Sequence, residues 1–166
     1  DNGFAGLLAD EMGLGKTLQV LALLKAWEKR KRVLIICPAS LVYNWGEEIE
    51  RFAPKLSYSL VSGSAARRAE IIRAASDHHI LITSYDALKR DFTFYEKMNI
   101  SCEIIDEAQY IKNADTQTAQ AVKSINAQFR VALTGTPIEN HLSELWSIFD
   151  YLLPDYLFTY SSFRKR

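Results

Sequence analysis

Apolar runs of strand length alternate with amphipathic stretches of helix length along the chain, and this alternation restricts the fold more than any other feature. The expected strands are Phe4–Ala9, Val33–Cys37, Tyr58–Val61, Ile80–Ser84, Cys102–Asp106 and Val131–Thr134. The expected helices are Thr17–Lys31, Leu41–Phe52, Ala65–Ser76, Tyr85–Met98, Thr116–Ile125 and Ser143–Leu153, the last with Ser143 as its N-cap and a stop before Pro154. The strands are apolar throughout instead of alternating, as in a parallel sheet covered on both faces. The pattern predicts a doubly wound α/β fold: a mostly parallel sheet with helices on both faces. Ligands of such sheets sit beyond the carboxyl ends of the strands. The 166 residues fit one domain, 1–166, and a hydrophobic share of 48% is enough for its core.

The first strand runs into Asp10-Glu11-Met12-Gly13-Leu14-Gly15-Lys16-Thr17 and then into a helix, which reads as a phosphate-binding loop. Glycines let the backbone turn its amides inward, and the helix N-terminus adds partial positive charge. Lys16 can reach the β- and γ-phosphates, and the Thr17 hydroxyl can ligate Mg²⁺. Asp10 stands where the general pattern has a Gly, and a turn that merely precedes a Lys is the bland alternative. A nucleotide site also needs acid at the end of another buried strand, and Asp106-Glu107 supplies it. Asp106 suits the metal and Glu107 suits the attacking water, although acids also favour helix starts. The two motifs together imply a nucleoside triphosphate. After the last strand, Thr134-Gly135-Thr136-Pro137 could sense the γ-phosphate, or could simply turn the chain into a helix.

Twenty basic and twenty acidic residues balance, which argues against a large electrostatic footprint for nucleic acid and leaves room for a local patch. No apolar run approaches the roughly 20 residues of a membrane-spanning helix, so no membrane partner is expected. Cys37 and Cys102 flank apolar runs without metal-ligand spacing and read as buried free thiols. Trp45 and Trp146 sit at helical spacing among apolar residues and read as core. Arg67, Arg68 and Arg73 read as a solvated helix face, and the basic run Lys25–Arg32 as cations closing a helix.

The segments DEMGLGKT, DEAQ with YIKN, and LTGTPIEN resemble the Swi/Snf-type ATPases, the double-stranded-DNA translocases of helicase superfamily two. Cys37-Pro38-Ala39-Ser40-Leu41-Val42-Tyr43-Asn44-Trp45, Ile82–Asp86 and Glu144-Leu145-Trp146 extend the resemblance over nearly the whole chain. It implies a first RecA-like P-loop NTPase lobe that binds ATP-Mg²⁺ through residues 10–17 and Asp106, with Lys16, Asp106 and Glu107 catalytic. Gln109, Thr134, Gly135 and Thr136 would couple nucleotide state to DNA. Duplex DNA would be tracked near Pro38, Ser40, Asn44, Thr83 and Ser84, although Ser40 and Ser84 could simply begin helices. A second RecA-like lobe in cis would bring arginine fingers. Gln109 replaces the family's usual His, a departure that bears on coupling.

The chain reads as a fragment, expected to bind nucleotide weakly and turn it over negligibly. The expected location is cytoplasmic and nucleoid-associated in a prokaryote, or nuclear in a eukaryote. A strand-separating helicase lobe and a non-catalytic nucleotide-sensing lobe are the competing readings.

Overall fold

The computed structural model describes residues 5–9, 15–27, 31–135 and 141–165. Among the described residues six strands, β1 (Ala5–Ala9), β2 (Arg32–Cys37), β3 (Tyr58–Leu60), β4 (Ile80–Ser84), β5 (Ile100–Ile105) and β6 (Ala127–Thr134), form one sheet in the order β1-β6-β5-β2-β4-β3. Every pairing is parallel, so the sheet is parallel throughout and not merely for the most part. The helices are α1 (Gly15–Ala26), α2 (Val42–Phe52), α3 (Ala65–Ala74), α4 (Tyr85–Arg90), α5 (Phe92–Tyr95), α6 (Gln117–Lys123), α7 (Leu142–Leu152) and α8 (Tyr160–Phe163). Single 3₁₀ turns span Ala39–Leu41 and Ala108–Ile111.

Strand β2 shows why the strands are apolar without alternation. Val33, Ile35 and Cys37 pack with Val20, Leu21 and Leu24 of α1 and with Trp45 and Ile49 of α2. Leu34 and Ile36 pack on the opposite face with Ile72, Leu88, Val122 and Ile148, from α3, α4, α6 and α7. Each such side chain contributes about 1.5–3 kcal/mol on burial, and only apolar residues on both faces collect it. The doubly wound expectation is met.

Differences from the sequence reading have local causes. The stretch Tyr85–Met98 is two helices, broken at Asp91, whose two carboxylate oxygens accept from Arg68 Nε at 2.6 Å and Nη2 at 3.0 Å. Arg68 is therefore buried and not solvated, whereas Arg67 and Arg73 are exposed. Strand β6 starts four residues before Val131, because Arg130 places its Nη1 and Nη2 donors on the carbonyls of Lys123, Ile125 and Tyr151. Helix α1 ends at Ala26, and residues 28–30 of the basic run lie outside the described residues. Ser143 is no cap: α7 begins at Leu142 after His141, without a side-chain bond to its N-terminus. Ser64, Ser84 and Thr116 do cap, each accepting from the amide three residues on.

The sheet brings the sequence motifs to one edge. Ala9 aligns with Thr134, Ile36 with Ile105, and Cys37 with Ser84, so the segments that follow β1, β6, β5, β2 and β4 all emerge at the carboxyl end.

Candidate functional site

Asp106 lies one residue past β5 at this edge. Its amide still donates to the Ile36 carbonyl at 2.8 Å, extending the ladder by one step. Its Oδ2 accepts the Trp45 indole N–H at 3.0 Å, and its Oδ1 accepts the Glu107 amide at 2.9 Å. Its own carbonyl accepts the Tyr85 hydroxyl at 2.6 Å. Burial raises the Asp106 carboxyl above the ordinary carboxylate range; the two donors and the Lys16 ammonium pull the other way. Each oxygen carries one donor from the protein and so has a lone pair to spare.

Glu107 has left-handed backbone angles, φ 54° and ψ 58°, which cost a non-glycine residue roughly 1 kcal/mol or more. Such strain accumulates where a side chain must be aimed. The 3₁₀ turn Ala108–Ile111 follows at once, and the Glu107 Oε2 accepts from Gln109 Nε2. Gln109, assigned to coupling from the sequence, is thus half-buried against the second acid of the pair.

Gly15, Lys16 and Thr17 form the first turn of α1, which carries no acidic residue to compete with an anion at its positive end. Asp10, Glu11, Met12, Gly13 and Leu14 lie outside the described residues, as does Thr136. Thr134 ends β6 with its side chain buried, and Gly135 follows. Because β6 runs between β1 and β5, Thr134 stands between the ends of these two strands, each about 4.8 Å away as a neighbouring strand. Among the described residues no three His, Cys, Asp or Glu side chains gather into an all-protein metal cage. A single carboxylate with open lone pairs and a hydroxyl on α1 suit Mg²⁺, which keeps waters and shares substrate phosphates.

On the side expected to meet DNA, Ser40 and Asn44 are exposed. Ser84 is half-buried and spends its hydroxyl on the Ala87 amide, so it does begin a helix. Pro38 and Thr83 are buried, which leaves the surface there to Ser40, Asn44 and Ser84. Sequence reasoning missed Trp45 and Tyr85 as partners of Asp106. The available signal was general: a buried indole or phenol needs an acceptor. Tyr85 also stacks on the half-exposed Tyr110, with ring centroids 4.8 Å apart. Trp146, read as core, is only half-buried; it bonds the Phe158 carbonyl and sits under the Lys123 ammonium. Cys37 and Cys102 are free and buried, and burial pushes both thiols up to about 12.

The sequence matches the SNF2-related domain family over residues 1–166. An uncharacterized ATP-dependent helicase of Mycoplasma genitalium is 43% identical over 161 residues, covering 95% of this chain and 16% of that protein. The TATA-binding protein-associated factor MOT1 of Saccharomyces cerevisiae is 39% identical over 176 residues, covering 97% of this chain and 9% of its own length. The Sulfolobus solfataricus SWI2/SNF2 ATPase core in complex with dsDNA superposes with a TM-score of 0.86 at 41% identity, covering 98% of this chain and 34% of that one. The chain thus spans a minor part of each relative.

Proposed function

Since this chain belongs to the SNF2-related domain family, we propose that it is the first, ATP-binding lobe of an ATP-dependent translocase on double-stranded DNA. The observation that carries this reading is Asp106 at the end of β5, both carboxylate oxygens oriented by donors of the protein, at the sheet edge where β1 leads towards Lys16 in the first turn of α1. The likeness to a SWI2/SNF2 core solved with dsDNA supports the choice of nucleic acid.

In this reading Lys16 and the amides at the start of α1 bind the β- and γ-phosphates. Thr17 and Asp106 would hold Mg²⁺, which when bound neutralises charge on the phosphates. Glu107, aimed by its left-handed backbone, orients the attacking water. Thr134, between the two, carries nucleotide state towards Gly135 and the segment beyond. Ser40, Asn44 and Ser84 offer hydroxyl, amide and backbone groups that position a phosphate backbone without reading sequence. A second RecA-like lobe in cis supplies an arginine finger, worth about 10³–10⁵ in rate, so the 166-residue lobe by itself hydrolyses ATP at near-background rates.

The test is steady-state ATP hydrolysis by the full-length parent with no nucleic acid, duplex DNA, single-stranded DNA or RNA, beside Lys16→Ala and Glu107→Gln. Stimulation chiefly by duplex, lost in both variants, is expected. Stimulation chiefly by single strands or RNA would replace the translocase with a strand-separating helicase. No stimulation by any of them would remove DNA from the account.

A further inference from the structure

Two aromatic donors grip Asp106 from opposite faces of the sheet, and neither belongs to the phosphate loop or the acid pair. Trp45 lies in the core on the α1–α2 face and gives its indole N–H to the Asp106 carboxylate. Tyr85 lies in the core on the other face and gives its hydroxyl to the Asp106 carbonyl. Packing alone asks for apolar rings of these sizes and for no polar atom on them. Both rings instead spend their one polar atom on the same residue.

The two bonds fix different things. The indole sets the direction in which the carboxylate points. The hydroxyl sets the plane of the peptide between Asp106 and Glu107, whose N–H returns to Asp106 Oδ1 and whose next rotation is the left-handed φ of Glu107. Turning that peptide moves both acids at once. The donors are also placed to feel the surface. Trp45 follows the exposed Asn44 directly, on the helix that opens behind Ser40, and Tyr85 follows Ser84 directly. Strands β2 and β4, which lead into these segments, are neighbours in register, Cys37 beside Ser84.

We propose that Trp45 and Tyr85 are positioning residues that carry engagement of duplex DNA at Ser40, Asn44 and Ser84 to the Asp106–Glu107 pair. The inference rests on the reading of the chain as a duplex-dependent ATPase lobe. It goes further by giving the coupling a physical path: two rigid rings, each one residue from the surface at one end and one hydrogen bond from Asp106 at the other.

The test uses the full-length parent with Trp45→Phe and Tyr85→Phe; each removes one donor and keeps an aromatic ring, the first exchanging the buried indole for a smaller phenyl. Partners that orient a metal-holding carboxylate are worth about 10- to 100-fold in activity, and a loss of that size is expected in duplex-stimulated kcat. KM for ATP and the affinity for duplex DNA should stay at wild-type values, a split that general loosening of the fold would not give. Hydrogen–deuterium exchange over residues 105–111 supplies a readout apart from turnover: duplex should slow it in the wild type and not in the variants. Tyr85→Phe deletes a single hydroxyl and keeps the test open should Trp45→Phe fold poorly. Variants with wild-type kcat and duplex-dependent protection, beside a wild type that duplex stimulates, would overturn this inference and leave the proposed function standing. A wild type that duplex does not stimulate would overturn both.

Discussion

Asp91→Ala removes the acceptor of a buried guanidinium, and the structure sets the size of the effect. Arg68 has five N–H donors; Nε and Nη2 go to the two oxygens of Asp91, and Nη1 goes to the Gly63 carbonyl at 2.8 Å. The side chains are only 10% and 4% exposed, so water cannot replace the lost carboxylate. Hydrogen bonds to charged groups are worth about 1.5–3 kcal/mol each, and two set an upper figure of about 6 kcal/mol. The bonds share one charge, which brings the expectation to about 3–5 kcal/mol, the usual cost of stripping one partner from a buried pair. Against a domain stability of about 5–15 kcal/mol this is a third or more of the total. Urea unfolding followed by far-ultraviolet circular dichroism measures it, with an unchanged slope if only the native state is affected. The double substitution Arg68→Met with Asp91→Leu removes both charges and should cost less than Asp91→Ala alone, because no charge is left stranded. A cost under about 1 kcal/mol for Asp91→Ala, or a double variant costing the sum of its singles, would refute the argument that an orphaned charge dominates.

Glu103 is wholly buried on β5, 3.4 Å from the Arg130 guanidinium, and burial pushes its carboxyl well above the ordinary range despite that neighbour. The unfolded carboxyl ionises near about pH 4.3 and the folded one only at higher pH, so its stabilising contribution is complete in acid and is lost as pH rises between the two. Glu103→Gln should therefore gain on the wild type in urea midpoint as pH climbs from acid to neutral, and a pH-independent difference would contradict the assignment. The two thiols, pushed up to about 12 and enclosed, should resist a disulfide reagent in native buffer and react in full in urea. Rapid native labelling of either would mean that β2 or β5 opens readily.

Strand β2 was legible because both of its faces need apolar residues, which leaves the unbroken run Val33–Cys37; β4 and β5 follow the same rule with Thr83, Ser101 and Glu103 set among their apolar residues. The polar residues inside the fold were not legible. Arg68 and Arg130 carry the same side chain as a solvated arginine, and only the carboxylates and carbonyls brought around them by other elements bury them. The first half of β6 was lost to that ambiguity. Lys16, Asp106 and Glu107 were legible as candidates because they lie in the segments that follow β1 and β5, and the parallel sheet gathers its strand ends at one edge. Trp45 was legible as core and illegible as a donor, since the register of β2 against β5 decides where its N–H points. Trp146 misled because helical spacing was taken as a core face, while Ser147, Ile148 and Tyr151 occupy the buried side of α7.

The acid pair leads into a turn held by three helices through side-chain donors that mostly seek main-chain acceptors. Tyr85 of α4 bonds the Asp106 carbonyl, and Ser147 of α7 bonds the Ile111 carbonyl while accepting from the Lys123 ammonium. Trp45 of α2 alone takes a side chain, the Asp106 carboxylate. Carbonyl acceptors exist whatever residue supplies them, so the path of the chain from 106 to 111 does not depend on the side chain at position 109. Gln109 touches the Glu107 carboxylate instead. The side chain at position 109 therefore bears on the setting of one carboxylate, while Asp106 is held from α2 and α4 and Ile111 from α7.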